Sequence, residues 1–196
     1  VFRKKPAIAS EIFQLCLIVI LMLAFRSSFA DHYHVPSGSM EYTLMPGDRV
    51  VVDKTAYGVR LPFTTIDLFG TATPARGDVV VFDSPRDGER LIKRIVAVGG
   101  DVVALADGEL EVNGVPLGDR ATEAFGAHLA LLNLSDGGGP DIDSLAVPEG
   151  MVLALGDHRG NSLDGRFFGP IPETEVVGRA LGIYYRRGEG FTWRRL

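Results

Sequence analysis

The sequence predicts a mainly β protein: an all-β body with a small inserted subdomain, carried behind a single N-terminal transmembrane helix. Three observations carry that expectation. A nearly unbroken apolar run fills residues 7–24 behind three basic residues, short β-branched runs bounded by Gly-Asp turns recur through the rest, and residues 106–150 lose that rhythm. The 196 residues suit one domain of ordinary size and exclude a large multidomain enzyme; 46% hydrophobic against 23% charged residues excludes a disordered chain.

The first element reads AIASEIFQLCLIVILMLA from Ala7, with only Ser10, Glu11 and Gln14 polar. At about 1.5 Å per residue, the stretch from Ala7 to Ala30 reaches roughly 36 Å, against a hydrocarbon core of about 30 Å. Arg3, Lys4 and Lys5 precede the run and one arginine, Arg26, follows it, so the positive-inside rule puts the N-terminus in the cytoplasm and the body outside. A cleavable secretory signal competes with the anchor, because Ser28-Phe29-Ala30 fits a small-x-small cleavage pattern. A buried core helix is a third reading, opposed by the charged flank and the lack of an amphipathic period. Residues 1–30 carry net charge +3 and leave −8 to the remainder; an acidic body opposes nucleic acid as a partner. Cys16, the single cysteine, lies in the apolar run, so no intrachain disulfide is expected.

In the body, Arg49–Lys54, Val79–Phe82, Leu91–Val98, Val102–Leu105, Met151–Leu155 and Val176–Tyr185 read as strands. Gly-Asp recurs at Gly47-Asp48, Gly77-Asp78 and Gly100-Asp101, but the irregular spacing speaks for turn chemistry and against an internal repeat. Within 106–150, Asn113-Gly114 signals a hairpin, and DGGGPD marks a flexible stretch. The patch AFGAHLALLNL fits a short helix or a strand pair equally well.

Candidate chemistry starts from the amines, because a lysine can lose its proton in a protein and an arginine cannot. Of 20 Lys+Arg only four are lysines, and the body holds two of them, Lys54 and Lys93. Alternation in LIKRIVAV puts Lys93 on one face with Leu91, Ile95 and Ala97, where loss of hydration would depress its pKa. A shift of about 2.5 units costs on the order of 3.4 kcal/mol. A lysine that snorkels to water or pairs with a carboxylate is the competing reading. Lys54, following Asp53 at a strand end, is expected to be solvated. In HVPSGSMEYTLMPGD, Ser37 and Ser39 flank Gly38, which permits a tight path able to expose a serine, though a serine-rich turn would look the same. His32, His34, His128 and His158 show no recognised metal-ligand spacing, and no cofactor is expected.

The segments PSGSMEYTLMPGDRVVVDKTAYG, GDVVVF, LIKRIVAVGGD and GDHRGNSLDGRFFGPIP resemble, in order and spacing, the successive boxes of bacterial type I signal peptidases. The resemblance implies a serine–lysine protease with Ser39 as nucleophile and Lys93 as general base. It implies an oxyanion hole from the Ser37 hydroxyl and the Ser39 backbone N–H, and a Ser162 hydroxyl bonded to the catalytic amine. Asp164 and Arg166 would form a salt bridge holding the Ser162 loop, with Arg94 as a further member. Val35, Met40, Leu44, Leu91 and Ile92 would line pockets for small side chains. The body would then divide into a catalytic β domain at 31–105 and 151–196, with 106–150 inserted as a cap. The implied substrates are exported preproteins cut after Ala-x-Ala by a single-pass protein of the bacterial cytoplasmic membrane, monomeric and facing the periplasm; this favours a retained anchor over a cleaved signal. The chain departs from the family's usual pattern at Tyr42, His158, Gly160 and Gly165, where proline, asparagine, an acidic residue and serine are common.

Overall fold

The computed structural model describes residues 7–28, 30–60, 67–70, 72–126 and 128–196. The expected basic flank Arg3, Lys4 and Lys5, and Phe29 of the expected cleavage pattern, lie outside them. Helix α1 (Ala7–Ser28) leads into β1 (Ala30–His34), which pairs antiparallel with β2 (Arg49–Asp53). A hairpin follows, β3 (Gly58–Arg60) with β4 (Asp67–Gly70), and then the pair β5 (Val79–Asp83) and β6 (Arg90–Val98). The middle of the chain forms β7 (Val102–Ala106), β8 (Glu109–Val112), β9 (Val115–Pro116), β10 (Thr122–Phe125), β11 (His128–Leu131) and β12 (Ile142–Ala146). The last part holds β13 (Met151–Leu155), the one-turn α2 (Gly165–Phe168), β14 (Ile171–Pro172), β15 (Val176–Arg186) and β16 (Gly190–Arg195).

The strands sort into a main sheet in the order β1-β2-β15-β5-β6-β13-β14, with β16 added on β15, and a four-stranded sheet β12-β7-β8-β9. Both are antiparallel. The uniform apolar run in β5 follows from its place in the main sheet. Val79 and Val81 pack on one face with Val50, Val52 and Ile183, while Val80 and Phe82 pack on the other with Ile95, Val152 and Ile171. A strand buried on both faces needs no alternation. A third core joins the two sheets, setting Val96, Ala97, Leu153 and Leu155 against Val103, Leu105, Leu110, Val112 and Phe125.

One segment pairs elsewhere than expected, and one open alternative is resolved. Val102–Leu105, expected in the first part of a catalytic domain, pairs in the four-stranded sheet as β7. The undecided patch is a strand pair, β10 with β11. Asn113 and Gly114 both adopt positive φ, 56° and 74°, as a tight two-residue hairpin turn requires. The side chains of α1 from residue 10 to 20, with Met22 and Leu23, are exposed rather than packed on the body, Phe13 and Leu15 by 69% and 63%. Among the described residues, no helix is long and apolar enough to cross a membrane.

Candidate active site

Two elements bring the central pair together. Residues 35–48 leave β1 as a compact turn that enters the core through Val35, Met40 and Leu44 and returns as β2, with Val35 N–H donating to Asp48 O at 2.9 Å and Leu44 N–H to Met40 O at 2.7 Å. This turn carries Ser39. Lys93 stands in the middle of β6, opposite Val80 of β5, and its Nζ lies 2.6 Å from Ser39 Oγ. Both side chains are buried, Lys93 at 3% exposure. Alternation along β6 predicts one apolar face; residues 93–97 are all buried because cores cover the strand on both sides.

Burial is the dominant influence on the lysine and pulls its pKa down from 10.5 to about 8. The carboxylates of Asp164 and Asp157 pull it back up, and the Arg166 guanidinium pushes it down. Among the described residues, no carboxylate comes within ion-pair distance of Nζ. Lys54, expected to be solvated, instead pairs with Asp31 at 3.4 Å in a largely covered position.

Ser37 Oγ lies 3.5 Å from Ser39 Oγ, at the exposed mouth of the turn. Ser162 Oγ is buried beside Gly156 and close to Asp164; among the described residues it makes no hydrogen bond to Lys93 Nζ, so its expected bond to the amine is not formed. Gly156 cannot be anything larger: a Cβ there would sit 2.2 Å from Ser162 Oγ and 2.5 Å from the Ser39 carbonyl.

Asp164 and Arg166 form the expected salt bridge, but in a helical turn and not an extended segment. Asp164 caps α2, accepts from the Gly156 N–H at 2.9 Å and binds Arg166 through both oxygens at 2.8 Å. Burial alone would raise the Asp164 carboxyl; the guanidinium overrides it and holds it below the usual carboxylate range. Arg94 does not join this pair. It binds Asp157 in bidentate fashion at 2.9 and 2.7 Å, and also Thr43 Oγ1 at 3.0 Å and Gly77 O at 2.9 Å. Asp157 in turn accepts from Thr43 Oγ1 at 2.5 Å, tying the Ser39 turn to the loop after β13. A third buried pair, Arg159 with Glu123, ties that loop to the β10 strand of the insert. Thr43, Asp157, Arg159 and Glu123 carry no motif of their own in the sequence; the local signal is GDHR, two charged residues beside a glycine whose position admits no side chain.

Of the expected pocket residues, Val35, Met40 and Leu44 are closed off inside the core, with Met40 and Leu44 at 0% exposure. They therefore support the Ser39 turn from beneath and offer no open wall, because the turn must bury its apolar side to hold its shape. Leu91 and Ile92 keep partial exposure at the start of β6, two and one positions before Lys93 in the strand. Among the described residues, no cluster of three His, Cys, Asp or Glu side chains is placed to hold a metal.

A family model described as signal peptidase, peptidase S26, matches residues 8–185. The chain belongs to that family. It is 31% identical to signal peptidase I of Pseudomonas fluorescens, the match covering 85% of this chain and 69% of the relative. It is 32% identical to the probable signal peptidase I-2 of Synechocystis, over 83% and 66% of the two chains. A probable thylakoidal processing peptidase 2 of Arabidopsis thaliana is 33% identical over 85% of this chain but only 41% of its own length. A solved signal peptidase I from Enterococcus faecalis aligns with 55% of this chain and 97% of its own at 31% identity, with a TM-score of 0.44. The peptidase is thus a serine endopeptidase, and it spans about two thirds of the length of its bacterial relatives. Its buried amine can take a proton from a neighbouring hydroxyl at near-neutral pH, which is the chemistry such an endopeptidase needs.

Proposed function

We propose that the peptidase removes N-terminal signal peptides from exported preproteins, with Ser39 as nucleophile and Lys93 as general base. The observation that carries this reading is the 2.6 Å contact between a buried lysine amine, its pKa depressed to about 8, and a serine hydroxyl. Neutral Lys93 takes the hydroxyl proton as Ser39 Oγ attacks the scissile carbonyl. The Ser39 N–H and the Ser37 hydroxyl then receive the oxyanion. Protonated Lys93 gives its proton to the leaving amine, which departs with the mature protein. Water, deprotonated by the same amine, hydrolyses the ester to free the signal peptide. The buried Ser162 hydroxyl lies near this centre and is suited to hold the lysine amine between steps.

The substrate lies extended beside the start of β6, with Leu91 and Ile92 closing the pockets to all but small residues such as those of Ala-x-Ala. The exposed apolar side chains of α1 and the basic residues before it support a single-pass anchor in the bacterial cytoplasmic membrane, with the body on the periplasmic side. Such tethering would raise the local concentration of emerging cleavage sites. The peptidase acts as a monomer in this reading, since the dyad comes from one chain.

The test is a preprotein whose signal ends in Ala-x-Ala, incubated with the full chain in detergent and mapped by mass spectrometry. One cut after the second alanine is expected, abolished in both Ser39→Ala and Lys93→Ala. Cleavage surviving either change would sink the assignment. Alkaline extraction of membranes tests the anchor: release of the intact chain into the soluble fraction would contradict it.

A further inference from the structure

His158 grips the nucleophile turn from behind. It is 4% exposed, its backbone N–H donates to Ser39 O at 3.1 Å, and its ring Nδ1 lies 3.2 Å from Gly38 O. Two carboxylates flank the ring: Glu41 Oε2 stands 3.3 Å from Nδ1, and Asp136 Oδ2 stands 3.0 Å from Nε2 without hydrogen-bond alignment. Asn133 steadies the arrangement, with Nδ2 3.2 Å from Glu41 Oε2 and 3.5 Å from His158 Nδ1, and with backbone bonds to Asp157 and Arg159 on either side of the histidine. Glu41 is folded over Gly38 so tightly that a Cβ at Gly38 would come within 2.6 Å of its Oε1.

The geometry has a consequence for the reacting end of the turn. Gly38 C=O and Ser39 N–H belong to the same trans peptide, a rigid plane in which the two point in opposite directions. A donor holding Gly38 O therefore fixes where Ser39 N–H points. We propose that His158 is a positioning residue for the oxyanion site: its ring, flanked by Glu41 at Nδ1 and by Asp136 at Nε2, directs Nδ1–H to Gly38 O and so aims Ser39 N–H at the oxygen that becomes negative. The bond to the carbonyl also polarises the peptide and makes its N–H a better donor. This inference rests on Ser39 being the nucleophile and its N–H an oxyanion donor, as argued under Proposed function.

The experiment compares His158→Ala, His158→Leu, His158→Asn and His158→Gln in the full chain, reading kcat and KM on a signal-peptide substrate together with inhibition by a peptide boronate that mimics the tetrahedral adduct. Losing a directly contacting oxyanion donor costs about 100- to 1000-fold, so losing its aim is expected to cost about 10- to 100-fold in kcat in the alanine and leucine variants. KM stays near wild type, the boronate weakens by the same factor as kcat, and an amide at 158 restores most of the loss. Should alanine prevent folding, the leucine and glutamine variants, which differ in a donor more than in volume, carry the same comparison. A kcat within about threefold of wild type in the leucine variant, or a loss the boronate does not share, overturns the proposal. Ser39→Ala run alongside separates the two readings: residual cleavage there defeats the nucleophile assignment, whereas a dead Ser39→Ala beside an unaffected His158→Leu defeats this inference alone.

Discussion

Lys93 and Arg94 are neighbours on β6, equally buried, and they meet opposite fates. Arg94 reaches Asp157, Thr43 and Gly77 O, and the same pattern repeats at Arg166, bound to Asp164, Gly138 O and Arg159 O. Lys93 has the Ser39 hydroxyl and, among the described residues, no carboxylate in contact. A cation taken out of water is stabilised by a bonded anion or else gives up its charge. The arginine region takes the first course and becomes scaffold; the lysine, without a bonded anion, moves toward the second, its pKa pulled down to about 8. Arg159 and Glu123 fall between these cases. They are paired, yet burial outweighs the guanidinium and raises the Glu123 carboxyl, one of whose oxygens has no partner.

The sharpest way to break this comparison is to put the arginine solution in the lysine's place. Lys93→Arg should cost at least about a thousandfold in kcat, because a guanidinium has no neutral form to accept the serine proton; measurable turnover would show that Lys93 is not the base. Removing an anion on the scaffold side comes next. Asp157→Ala should destabilise the fold by about 3–5 kcal/mol in a denaturant titration, as expected when a buried guanidinium loses its partner, and a loss under about 1 kcal/mol would mean that Arg94 escapes to water.

Lys93→Met should move stability the other way. The folded pKa of about 8 lies below the unfolded 10.5, so the unfolded chain binds more protons between those values and stability rises with pH across that window. Below about pH 8 the destabilisation is fully present, and methionine should recover up to about 3 kcal/mol there and flatten the rise. Activity of the wild type should climb through the same pKa to a plateau above pH 8, and a limb near 10.5 would contradict the depressed amine. The smallest effect belongs to a pair left in water: Arg120→Ala, which separates an exposed guanidinium from Asp107, should change stability by about 0.5 kcal/mol or less.

Much of the strand layout was legible in local pattern. The six expected strands all form, with ends shifted by a residue or so, and Asn113-Gly114 makes its hairpin. Strands β12 and β16 escaped because IDSLA and GFTWRR are largely exposed edge or outer segments with weak alternation. At the site, Ser39 and Lys93 stand out through residue type and family boxes. Asp157 does not, because its partners Thr43 and Arg94 lie 114 and 63 positions away. Met40 and Leu44 misled for a related reason: apolar residues beside a nucleophile suit a pocket and a core equally well.

What the amino-acid sequence determined by itself is what short-range physics controls: an apolar helix behind basic residues, β-branched strands between glycine turns, and a body in which only two side chains are lysines. Which buried cation keeps its charge was decided by the tertiary structure alone. That outcome depends on which carboxylates, brought from distant strands, come within bonding distance and on burial from both faces of β6, and no local window of sequence encodes either.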